Sequence, residues 1–86
     1  MPFHLYKTRR AGDRPRWFGV HVRYDEDHWV STCRETDGDG GELTSGIAIE
    51  STFHGVTPQE VHRRMVEVLK ASYDEVSPMV HGEVEG

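Results

Sequence analysis

Apolar and polar positions along the chain follow two rhythms. Before Thr57 they alternate; after it they recur at helical spacing. The segment GVTPQEVHRRMVEVLKASYDEV carries the second rhythm. Val61, Met65, Val68, Leu69 and Tyr73 fall on one helical face, and His62, Arg63, Glu67 and Lys70 fall mostly elsewhere. The start of this helix is set by side-chain chemistry. The Thr57 hydroxyl can accept from an orphan N–H of the first turn, and Pro58 needs no N–H at the first helical position. Glu60 completes a capping box, and Val56 and Val61 stand at the spacing of a hydrophobic staple. The pattern predicts a helix over 58–75, stopped by Ser77-Pro78, with 77–86 as a flexible tail.

The alternating part predicts strands at 3–8, 17–24, 28–34 and 43–53. Turn residues separate them: RAGDRP at 10–15, DED at 25–27 and TDGDGG at 36–41. The fold class that follows is α+β: an antiparallel β-meander of three to four strands with one C-terminal amphipathic helix packed on one face (β-β-β-β-α), in a single domain over 1–76. One helix covers one face of such a sheet. With Phe3, Leu5, Phe18, Val20, Val22, Ile47 and Ile49 turned toward it, the open face carries Tyr6, Trp17, His21 and Arg23. Trp29 joins them if Val30 turns inward.

Composition narrows the picture. The chain has 86 residues, of which 35% are hydrophobic, so its core is thin and an oligomer could complete it. The single cysteine, Cys33, excludes an intrachain disulfide and a cysteine-based zinc cluster. A lone thiol, no apolar run of signal-peptide or membrane-spanning length, and a polar composition lead to the expectation of a cytoplasmic protein with no membrane partner. The net charge of -5 is unevenly spread. Residues 1–23 hold six cations against Asp13 alone, while residues 24–52 hold eight acids against Arg34. The segment KTRRAGDRPRWFG therefore reads as a basic hairpin on an acidic chain.

Candidate chemistry is sparse. The six histidines occur singly, with no HExxH spacing, and two of them, His4 and His21, could meet across the first hairpin as a weak metal pair. The loop from Asp37 lacks the ligands that a calcium loop needs at its fifth and twelfth positions, where Gly41 and Ala48 stand. Cys33 with His28 or His54 is a nominal thiol–imidazole pair, and Asp25, Asp27 and His28 a nominal acid–base cluster. Neither spacing specifies contact, so no catalytic residue, metal or cofactor is assigned.

Two binding readings remain. Exposed aromatics with arginine at the rim suit a protein interface formed by Tyr6, Trp17, His21, Arg23 and Trp29, joined to a second copy in a homodimer or to another protein. Alternatively Lys7, Arg9, Arg10, Arg14 and Arg16 hold phosphates of a nucleic acid whose bases stack on the sheet aromatics. The negative total and the absence of an RNA-recognition signature favour the first. The junction Gly55-Val56-Thr57-Pro58-Gln59-Glu60-Val61 resembles the strand-to-helix junction of HicB-type antitoxin domains, which also place a small sheet before such a helix. No functional residue carries over from that resemblance. The expectation is a non-catalytic accessory, regulatory or inhibitor domain, phage-borne examples included, that works by association.

Overall fold

The computed structural model describes residues 3–41 and 43–79. Strands β1 (Phe3–Arg9), β2 (Arg16–Asp25), β3 (His28–Thr36) and β4 (Ala48–Gly55) form an antiparallel meander. Helix α1 (Pro58–Ser72) and a short strand β5 (Glu75–Pro78) follow. The strands lie in the order β4-β3-β2-β1-β5, so α1 carries the chain from one edge of the sheet to the other. The fold is α+β, with the helix on one face of a five-stranded antiparallel sheet.

The helix begins where its caps place it. Thr57 Oγ1 accepts from the Glu60 amide at 3.1 Å, and Pro58 opens the first turn. Val61, Met65 and Leu69 are fully buried. Ser31 Oγ donates to the Val61 carbonyl at 2.8 Å, which ties β3 to the first turns of the helix. The staple does not form, because Val56 is 81% exposed. The helix also ends earlier than its periodicity predicts. Tyr73 is extended, its N–H bonding the Leu69 carbonyl, and the chain turns into β5. There Ser77 pairs with Lys7 and Pro78 with Tyr6, and the Met79 amide reaches the Leu5 carbonyl. The start of the expected tail is thus an edge strand; residues 80–86 of that expectation lie outside the described residues.

The expected facing of β1 is reversed. Tyr6 pairs with Phe18 and His4 with Val20, so His4 and Tyr6 share the helix side with Phe18, Val20, Val22, Ser31 and Cys33. Phe3 and Leu5 turn to the other side, opposite His21 and Gly19. A Cβ on Gly19 would lie 2.5 Å from the Phe3 ring, so glycine is what lets that ring lie on the sheet. A second cover explains how Leu5 is buried away from the helix. The Asp37–Gly41 turn folds over this side, with Gly40 against Phe3 and Leu5 and Gly38 against Trp17. Gly40 has φ +89, a backbone conformation that glycine adopts without cost. The Asp37 carboxylate accepts from the Asp39 and Gly41 amides and holds the turn.

The fourth strand begins at Ala48 rather than Leu43. Residues 43–47 form a loop anchored on Glu35, whose N–H donates to the Ile47 carbonyl and whose carboxylate accepts from the Ile47 amide. Ile49 joins the core periphery, whereas Ile47 is exposed.

Candidate functional site

The expected interface residues fall on two sides of the sheet. Tyr6 is 8% exposed beneath the helix, its hydroxyl 2.6 Å from His62 Nε2. Trp29 stands opposite Tyr24 on the helix side, in edge-on contact with it, because Val30 turns to the other face. Tyr6 and Trp29 therefore leave the proposed open face, and Trp17, His21 and Arg23 stay on it. The reason is register: Tyr24 pairs with Trp29 and Arg23 with Val30, and pleating sends these pairs to opposite sides.

The register lays out that open face as rows. Lys7, Trp17 and Thr36 form one; Leu5, Gly19, Arg34 and Ala48 the next. Phe3, His21 and Thr32 form the third, and Arg23, Val30 and His54 the fourth. The Asp37–Gly41 turn covers Leu5 and parts of Phe3 and Trp17. His21, Arg23, Arg34 and His54 remain exposed around the half-buried Thr32. Phe3 and His21 touch, with ring centroids 4.6 Å apart. Partial burial, and next the Arg34 charge, hold the His21 pKa below the ordinary imidazole value. Arg23 meets Asp25 at 3.6 Å, an exposed and exchangeable pair. The result is a polar patch of mixed arginine, histidine and hydroxyl groups. Sequence alternation gave Arg23 and His21 but missed Thr32 and Arg34, because only strand pairing brings them beside the other two.

The basic hairpin is less available than its composition suggests. Arg16 bonds Asp13 at 3.2 Å and both oxygens of the buried Glu35 carboxylate at 3.2 and 3.3 Å. Arg10 donates to the Ser72 carbonyl and lies 5.1 Å from the centre of the Tyr73 ring. The Lys7 ammonium lies 5.8 Å from the centre of the Trp17 ring. Arg9 and Arg14 are exposed.

Other candidates disperse or regroup. Cys33 faces the helix and His28 and His54 face away, so the thiol–imidazole pairs do not form. Burial pushes the Cys33 thiol up to about 12, far from a reactive thiolate at neutral pH. Asp27 and His28 bond at 3.0 Å on the surface, while Asp25 turns to Arg23. His4 and His21 lie on opposite faces. His4 instead stacks on His62, with centroids 3.8 Å apart and ring planes 14° from parallel. Burial, and next the His4 neighbour, take His62 down to about 4, so it is neutral at pH 7, and its Nε2 hydrogen-bonds the Tyr6 hydroxyl. A shallow cavity of about 300 Å³ beside this pair is lined by His4, Val22, Pro58, Gln59 and His62. Among the described residues, no three of His, Cys, Asp and Glu converge as a metal site. No described helix is long and apolar enough to cross a membrane.

No protein-family model, no curated protein and no solved structure matches the chain.

Proposed function

We propose that this chain is a non-catalytic binding module that associates with another protein through the sheet face opposite α1. The observation that carries the reading is one-sided cover. The helix lies on one face, the Asp37–Gly41 turn covers part of the other, and a strip with exposed His21, Arg23 and Arg34 around half-buried Thr32 is left between the turn and the β2–β3 hairpin. Half-buried Trp17 borders this strip, and aromatic and arginine side chains favour interfaces. A face-to-face homodimer would set arginine against arginine across its two-fold axis, which favours a different protein over a second copy on this face.

The nucleic-acid alternative has less support. Two of its five cations, Arg10 and Arg16, hold the chain's own groups, and Tyr6 and Trp29 lie on the far side of the sheet from Trp17. Stacking platforms need accessible ring faces beside cations. Site-specific photo-crosslinking tests the proposal: a benzophenone side chain at Thr32 should capture a protein in an extract of the encoding cells, and one at Ser72 should not. A chain that stays monomeric by light scattering and retards an RNA or DNA probe overturns it.

A further inference from the structure

We infer that His28 and His54 form a surface site for a divalent transition ion such as Zn2+, with Asp27 holding the His28 ring in its ligating tautomer. The site stands at the end of the β2–β3 hairpin, and neither it nor the association reading depends on the other. His54 pairs with Val30, and His28 lies two residues before Val30 on β3. The two imidazoles are therefore diagonal neighbours on the face away from α1. Their ring centroids are 4.9 Å apart, with the planes tilted by 39°. A tetrahedral ion bonded to one nitrogen of each ring at about 2.1 Å keeps the ring centres roughly 5 Å apart. The His4–His62 pair fails the same comparison. Its rings lie 3.8 Å apart and nearly parallel, and His62 Nε2 is taken by the Tyr6 hydroxyl.

Asp27 Oδ1 lies 3.0 Å from His28 Nδ1. An ionised carboxylate only accepts, so Nδ1 of the neutral ring carries the proton and Nε2 keeps its lone pair for a metal. A carboxylate on the far nitrogen is the arrangement that orients metal-bound imidazoles and raises their basicity. Asp25 is the direct cross-strand neighbour of His28, tied to Arg23 only by an exposed 3.6 Å contact. A turn of its side chain would offer a third donor, leaving the other positions of the ion to water. Imidazole nitrogens suit Zn2+, Ni2+ and Cu2+, whereas Mg2+ and Ca2+ take oxygen ligands.

The test is a Zn2+ titration of the full chain followed by NMR of isotope-labelled imidazoles, with Mg2+ as the control ion. The inference expects saturable shifts at His28 and His54, none at His21, and no response to Mg2+. His28→Gln and His54→Gln should each abolish saturable binding. Before metal is added, the His28 nitrogens should show the proton on Nδ1. Asp27→Ala should remove that preference and weaken Zn2+ binding about ten-fold, the low end for an orienting carboxylate because Asp27 is exposed. Circular dichroism of each variant checks folding. No saturable shift at His28 and His54, shifts confined to other histidines, or binding that survives either glutamine substitution overturns the inference. An unchanged tautomer and affinity in Asp27→Ala overturns the role given to Asp27.

Discussion

Single residues carry the clearest local signals. Glu26 has φ 62, and it is the one described non-glycine residue with positive φ. It follows Asp25, which pairs with His28 across the two-residue β2–β3 turn. A lone positive φ at the first turn position is the pattern of a type II′ hairpin, in which glycine is preferred. A side chain there costs on the order of 1 kcal/mol through the clash of its Cβ with the backbone. Glu26→Gly should therefore raise the unfolding free energy by about 0.5–1 kcal/mol, part of the relief being offset by the freer unfolded chain. Urea denaturation measures this directly, and a lowered midpoint at unchanged slope would refute the strain.

At the scale of elements, both sheet edges are blunted. On β4, Ile49 pairs with Cys33 and Phe53 with Ser31, so three β4 residues stand opposite Thr32 alone. Such a bulge twists an edge away from a flat ladder. The other edge, β5, has four residues and ends in Pro78. Association by edge pairing is disfavoured on both sides, which directs attention to a face. The loop between β3 and β4 depends on Glu35, whose carboxylate binds Arg16 and the Ile47 amide. Glu35→Ala should cost about 2 kcal/mol and speed hydrogen exchange at Ile47, since it removes the acceptor and leaves Arg16 half paired. Unchanged exchange at Ile47 would mean the loop is held otherwise. Much of this architecture was legible. Thr57, Pro58 and Glu60 located the helix start, and period-two runs located the first three strands. The phase of β1 was not, because Phe3 and Leu5 alternate with His4 and Tyr6, and both pairs can be buried. Gly19 and Gly40 decide it, through contacts that no periodicity encodes. Strand β5 is too short to show a period, and its pairing with β1 is long-range. Of the candidate site, His21 and Arg23 could be read, whereas Thr32 and Arg34 needed the register.

For the whole molecule, neutral histidines under the helix couple stability to pH. His62 lies at about 4 in the folded chain against an ordinary 6.5, and burial also lowers His4, its stacking partner. The groups that face His62 from β1 are His4, stacked on its ring, and Tyr6, whose hydroxyl hydrogen-bonds its Nε2. The folded state therefore binds fewer protons than the unfolded state between these values. Stability is full above pH 6.5 and is lost as pH falls toward 4. Since His62 is partly solvated, the loss from it is about 1–2 kcal/mol after allowance for screening. Asp13 and Asp27, whose pKa values are lowered by hydrogen bonds to Arg14 and His28 respectively, lose their contribution only at more acid pH, so the two windows separate. His62→Gln keeps a polar group beside Tyr6 and removes the titration. Its urea midpoint should fall less than that of the unaltered chain between pH 7.5 and 4.5, with the remaining decline belonging to His4 and His21, both held low by burial. Equal declines in the two proteins would show that protonation of His62 is not what couples stability to pH.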